Sequence, residues 1–180
     1  MRTMGKTLSL AAAVGITLFT SAAVGQSKGS VSALKGHDSN APVDVAADRI
    51  EVQDRADRAV FAGNVKVRQG DLALDTTRLT VAYSSGGGIK IQRLDATGGV
   101  VVRSPTETGR GDFGVYDLDR KLITLVGNVN LTREGSTING SRLLIDLNTG
   151  RAVIDGGAPG VGQSGGRVTG RFTVPQRGGK

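Results

Sequence analysis

From about position 41 onward the chain alternates apolar and polar residues in short runs: Val65 and Val67 against Lys66 and Arg68, Leu72 and Leu74 against Asp71 and Asp75, and Leu79, Val81 and Tyr83 against Arg78 and Thr80. A period of two puts successive side chains on opposite faces of an extended backbone, so each run reads as a half-buried strand. Between the runs stand Asp54 to Asp57, Gln69-Gly70-Asp71, Ser84 to Gly88, Asp117 to Asp119, Glu134-Gly135 and Asn148-Thr149-Gly150. Gly takes positive φ freely and Asp or Asn bonds its own backbone, so these clusters let the chain reverse. Short strands with frequent reversals predict an antiparallel meander. No stretch of about 12 residues past position 40 carries a helical stripe.

One phrase recurs at Gly63-Asn64-Val65-Lys66-Val67, Gly98-Gly99-Val100-Val101-Val102 and Gly127-Asn128-Val129-Asn130-Leu131. The first and third copies are 64 residues apart and stay in register well beyond the phrase: Leu74 aligns with Ile138, Arg78 with Arg142, Leu79 with Leu143 and Val81 with Ile145. The middle copy lies 35 residues after the first and 29 before the third. The unit is therefore an imperfect repeat of about 30 residues, within the range of stacked β-repeats. One local signal conflicts with this alignment. Asn139-Gly140 is a two-residue hairpin signature, yet it aligns with Asp75-Thr76, which has no turn character. A bend or bulge is expected there.

Composition limits what fills the interior. Twenty-eight glycines, no Trp, no Cys and six aromatics leave Val, Leu, Ile and Ala to build a thin core. One domain from about Ala41 to Gly156 accounts for the patterned region. The formal charge of +7 resides at the ends, because residues 41–155 hold 15 Lys or Arg and 15 Asp or Glu. A neutral body with basic ends is a poor nucleic-acid surface, and no nucleic acid is expected as a partner.

At the N-terminus, Arg2 and Lys6 precede an apolar stretch from Thr7 to Thr20, followed by Ser21-Ala22-Ala23-Val24-Gly25. That order predicts a cleaved secretory signal over 1–25, with Ala23 or Gly25 as the last residue removed. The stretch is short for a membrane span of roughly 20 residues. Residues 26–40 and 157–180, rich in Gly with Ser or scattered basic residues, read as flexible ends. Within the second, Val168, Phe172 and Val174 alternate with polar neighbours and sketch a final strand.

Catalytic chemistry finds little footing. His37 is the one histidine and falls in the leader, where it reads as solvated. Imidazole and thiolate metal sites are excluded on composition, and no cofactor is expected. Asp117-Leu118-Asp119 starts like a calcium loop but lacks its Gly and closing Glu. Ser84-Ser85-Gly86-Gly87-Gly88 is neither a nucleophile elbow nor a phosphate loop. A carboxylate-based glycosidase would need two carboxylates across a cleft, and the body's aromatics, Phe61, Tyr83, Phe113 and Tyr116, sit at strand positions rather than as sugar platforms. The chain is not expected to be an enzyme.

The region from Pro42 to Asp155 resembles the OstA-like family of periplasmic lipopolysaccharide-transport proteins. The carrying residues are Ala47-Asp48-Arg49-Ile50-Glu51-Val52, the run Phe61-Ala62-Gly63-Asn64-Val65-Lys66-Val67-Arg68-Gln69-Gly70-Asp71, Leu74 through Arg78-Leu79 to Tyr83, and a second unit from Leu125-Val126-Gly127-Asn128-Val129 to Ile145-Asp146-Leu147. The Gly-rich tail and the Ser84 to Gly88 insertion depart from the family pattern. The resemblance implies an all-β, twisted, open β-jellyroll whose interior holds the acyl chains of lipid A. The candidate lipid-binding residues are then the inward face of the alternation: Ile50, Val52, Phe61, Val65, Val67, Leu72, Leu74, Leu79, Val81, Ile91, Val100, Val102, Val115, Val129, Leu131, Ile138 and Ile145. It further implies docking of an inner-membrane LptC-like protein on the N-terminal edge, Val43 to Val52, and of an outer-membrane LptD-like protein on the C-terminal edge, Leu143 to Ile154, with head-to-tail self-association also open. Two other readings stand beside it: an LptC-like component with an uncleaved anchor, and a structural β-repeat protein that binds no lipid.

Overall fold

The computed structural model describes residues 34, 37–157 and 166–173; the expected signal segment, Val174 and most of the two ends lie outside them. The strands are β1 (Asp44–Ala46), β2 (Arg49–Gln53), β3 (Arg58–Gln69), β4 (Leu72–Ser84), β5 (Lys90–Arg103), β6 (Glu107–Asp117), β7 (Leu122–Arg133), β8 (Ser136–Asp146), β9 (Arg151–Asp155) and β10 (Thr169–Arg171). Strands β3 to β8 pair in chain order, every pair antiparallel, which is the expected meander. Both β1 and β2 lie along β3, and both β9 and β10 lie along β8, so among the described residues the sheet is open with two free edges. The expected reversals all occur between strands. A turn at Ser104-Pro105-Thr106, signalled only by its Ser-Pro pair, joins β5 to β6.

The recurring phrase has a structural meaning. Pairing skips Gly63-Asn64 in β3, Gly98-Gly99 in β5 and Gly127-Asn128 in β7, and opposite them it skips single residues, Thr77 in β4, Asp112 in β6 and Ser141 in β8. Each irregularity is a β-bulge, which bends its strand and sharpens the twist. The line crosses all six strands from β3 to β8 and creases the sheet into two halves. Each phrase therefore marks a two-residue bulge in every second strand, and one unit of about 30 residues is a strand pair. The crease also resolves the conflict at Asn139-Gly140: β8 runs straight through it, paired with β7, and bulges at the next residue.

The halves face one another across the core. A Cβ placed on Gly109, on one side of the crease, would lie 3.1 Å from Leu125 Cδ1 and 3.7 Å from Leu143 Cδ2, on the other side. Leu79, Leu125 and Leu143 are wholly buried between the layers. Burial of each such side chain is worth about 1.5–3 kcal/mol, which is what holds the crease shut.

Two sequence expectations need correction. His37 is not solvated: its side chain is 2 % exposed, with Nδ1 3.3 Å from Asp71 Oδ1 and Nε2 3.2 Å from Gln69 Oε1. Of the expected C-terminal edge, Leu143 to Ile154, only the part from Arg151 lies at the edge: Leu143 to Asp146 are paired on both sides, by β7 and β9, and the free edge is formed by β9 and β10.

Candidate functional site

The inner face is built from rows of paired residues that run across the sheet. In one half the rows are Ile50-Phe61-Leu79-Ala96-Gly114-Leu125-Leu143-Ile154 and Val52-Ala59-Val81-Leu94-Tyr116-Ile123-Ile145-Ala152. In the other, Val45-Val67-Leu74-Val102-Gly109-Leu131-Ile138-Gly170 runs from edge to edge. Paired residues of neighbouring strands share a face, so each row is a continuous apolar track with free ends.

Among the candidate residues, Val65, Val67, Leu72, Leu74, Leu79, Val81, Val100, Val102, Val129, Leu131 and Ile145 are buried in this interior. Phe61, Ile91 and Ile138 are half-buried on the same face. Ile50 and Val52 also belong to it, but at the β2 edge no described strand covers them and they are 55 % and 56 % exposed. Val115 is corrected: it pairs with Asp95 and Thr124 on the outer face. Alternation continued through Asp112 without a break would turn Val115 inward, but the one-residue bulge there flips the phase and brings Gly114 and Tyr116 in instead. Leu94, Ala96, Ile123, Leu125 and Leu143 also line the interior. Of these, Leu143 was already marked by its repeat alignment with Leu79.

The cleft bordered by Val43, Val67, Leu72, Leu74, Leu94, Val102, Ile123 and Leu125 leaves about 10 Å³, barely room for one water. Its lining is almost wholly apolar.

Polar groups gather where the interior ends. Tyr116 donates through its hydroxyl to Gln69 Oε1 at 2.8 Å, and Gln69 Nε2 donates to the carbonyls of Ser39 and Ala41, each at 3.0 Å. Burial pushes the Tyr116 phenol up to about 12. Glu107, 5 % exposed, accepts from Leu34 N at 3.3 Å and from Arg133 Nη1 at 3.2 Å. Burial raises its carboxyl above the ordinary range, against the opposing pull of the Leu34 N–H and Arg133. Among the described residues, no group of three or more His, Cys, Asp or Glu is placed to hold a metal ion. What the site offers a ligand is apolar surface, bounded by a few buried polar groups.

An open antiparallel sheet, creased so that an apolar face closes on itself and ends in two free edges, defines an open β-jellyroll. The family model of the LptA/(LptD N-terminal domain) LPS transport proteins matches residues 44–151, and the chain belongs to that family. Among its relatives, an uncharacterized protein of Rhizobium meliloti is 30 % identical over 151 residues, 80 % of this chain and 81 % of that one. The lipopolysaccharide export system protein LptA of Haemophilus influenzae is 24 % identical over 116 residues, 61 % of this chain and 67 % of its own. LptH of Pseudomonas aeruginosa, also a lipopolysaccharide export system protein, is 25 % identical over 125 residues, 64 % and 71 % of the two chains. A crystal structure of LptH, described as the LptA-homologous periplasmic component of the lipopolysaccharide transport device, superposes with a TM-score of 0.67 at 19 % identity, covering 77 % of this chain and 99 % of LptH.

Proposed function

We propose that the protein is a periplasmic lipopolysaccharide-binding bridge that shields the acyl chains of lipid A on their way from the inner to the outer membrane. The observation that carries this reading is the apolar inner face running unbroken from the β1/β2 edge to the β9/β10 edge. Each CH₂ withdrawn from water is worth about 0.8 kcal/mol, so one chain of about twelve carbons gains on the order of 10 kcal/mol by entering such a track. If the track continues into a neighbouring molecule, the lipid slides through similar sites without meeting water, and the driving work comes from another component.

The exposed Ile50 and Val52 support continuation at the N-terminal edge, because a strand added there would cover them while completing the backbone ladder. On this reading β1 and β2 receive an LptC-like inner-membrane partner, β9 and β10 an LptD-like outer-membrane partner, and edge-to-edge stacking of copies uses the same surfaces. The basic, apolar, small-residue order of the first 25 residues supports export, with the mature chain starting after Ala23 or Gly25.

The test is photocrosslinking of the purified mature protein to lipopolysaccharide, with the reactive residue placed in turn at Val67, Leu79 and Leu131, and at the outward Lys66 as control. Adducts confined to the three inward positions are expected. A second reading, a sealed structural scaffold, is favoured by the 10 Å³ of free interior, and it would replace the first if no position gave adducts. Val45→Pro should abolish capture of an LptC-like partner in a pull-down, since Val45 pairs with Val67 on the edge ladder.

A further inference from the structure

The two creased halves have rims that face each other on the side away from the bulge line. Gln69, Leu72 and Glu107 stand on one rim, and Ile89, Ile91 and Leu118 on the other. Between them lie Leu34 and residues His37 to Val43. Ser39, Asn40, Ala41, Val43 and Gln69 share an open cavity of about 460 Å³ with Ile89, Lys90, Ile91, Leu118 and Lys121, so the segment lies along the mouth of the interior.

Its hold on the mouth is specific. Leu34, 6 % exposed, is counted among the core side chains although it belongs to no strand, and its N–H bonds the buried Glu107 carboxylate. Its φ of +56° is a left-handed conformation that a leucine keeps only where its surroundings impose it. His37 is wedged against Asp71 and Gln69, and Gln69 also holds the Ser39 and Ala41 carbonyls. A segment with no ladder of its own thus spends an apolar side chain and several polar contacts on closing an apolar cleft.

We propose that Leu34 occupies an acyl-chain position of the interior and that Leu34, together with His37 to Ala41, acts as a removable strap, displaced sideways when a lipid chain enters through the mouth. The proposal rests on the lipid-carrying reading above, and adds that the groove is self-plugged when empty. It accounts for a leucine outside every strand being buried within the apolar core cluster. Gln69 and Tyr116, bonded to each other across the mouth, remain as the inner gate once the strap leaves.

The experiment compares the full mature chain with Leu34→Asp and Leu34→Met, using a fluorescent dodecanoyl probe and, separately, lipopolysaccharide photocrosslinking at Leu79. Leu34→Asp should raise affinity for the dodecanoyl probe at least about tenfold, because transfer of a leucine side chain is worth more than one factor of ten in an equilibrium constant. Leu34→Met should behave as wild type. In the unsubstituted protein, saturating probe should speed hydrogen exchange at the Leu34 amide while the β3 to β8 amides stay protected, a readout that does not depend on how any variant folds. Unchanged affinity in Leu34→Asp together with unchanged exchange at Leu34 overturns the strap, as does failure of the probe to bind either form. Tighter dodecanoyl binding without lipopolysaccharide adducts would keep the strap and defeat the transport reading. Adducts at Leu79 with the Leu34 amide still protected would do the reverse.

Discussion

Asn64 donates through Nδ2 to Asp48 Oδ2 at 2.8 Å, and sixty-four residues later Asn128 donates to Asp112 Oδ2 at the same 2.8 Å. Both asparagines sit at φ +46° after a glycine at φ +79°. The aspartate lies sixteen residues upstream in each case, Asp48 in the bend between β1 and β2 and Asp112 in β6, and ties that neighbouring segment to the bulge. The sequence repeat is thus a repeated latch on the crease.

Asn64→Ala should lower stability by about 1–2 kcal/mol, from a left-handed conformation that alanine resists and from the lost hydrogen bond. Asn64→Gly keeps the conformation and should cost visibly less in urea denaturation. Equal losses for the two would mean that backbone geometry at the bulge is not what Asn64 supplies.

Strand β6 presents Gly109, Gly111 and Gly114 to the interior, where larger side chains would hold the layers apart. A Cβ on Gly114 would approach Val100 Cγ1 to 3.0 Å and Leu125 Cδ2 to 3.1 Å. Gly114→Ala should therefore destabilise by about 1–3 kcal/mol through overpacking. Gly86→Ala, with nothing within 4 Å of the added carbon, is the control and should leave the melting temperature unchanged.

Much of this architecture is legible in the alternation, because a half-buried strand must repeat every second residue. The glycine phrases mark three of the bulges. Their partners do not, since Thr77, Asp112 and Ser141 are ordinary strand residues and only pairing reveals them as extra. That is why Val115 reads inward in sequence and faces outward in the fold. Asn139-Gly140 shows the opposite error: local turn chemistry is strong, but pairing with Asn130 and Val129 of β7 overrides it. The burial of Leu34 and His37 was not readable at all, because it depends on contacts with residues 73 and 34 positions away.

Tyr116 should report interior integrity at high pH. Its phenol is pushed up to about 12 by burial, whereas in the unfolded chain it ionises near 10. Between those values the native state holds the proton that the unfolded state has lost, so stability falls as pH rises through that window. Tyr116→Phe should remove that part of the slope, at a cost near 1 kcal/mol at neutral pH from the lost bond to Gln69. The check is urea denaturation across the window for both proteins; identical slopes would mean the phenol is not held in the interior.

Glu107 makes the corresponding prediction at mildly acid pH. Burial raises its carboxyl, the Leu34 N–H and Arg133 pull it back down, and Glu134 adds to the rise. The net shift is upward, so between the ordinary carboxylate value of about 4.3 and the raised one, the native state binds more protons than the unfolded chain. Stability contributed by the protonated form is complete below that window and is lost as pH rises through it. Asp146 acts in the opposite sense, its carboxyl lowered first by the hydrogen bond from Thr149, and its contribution is lost as pH falls. The effect of Glu107 is therefore read from a difference. Glu107→Gln keeps an oxygen for the Leu34 N–H but cannot ionise, so its melting temperature, relative to wild type, should climb as pH rises above the ordinary carboxylate value and level off once the raised carboxyl has ionised. Arg133→Met, which removes the cation that favours the charged form, should move the wild-type loss to higher pH. A variant curve running parallel to wild type throughout would show that Glu107 titrates as it does in water, and that the carboxylate is not enclosed by Leu34 and Arg133.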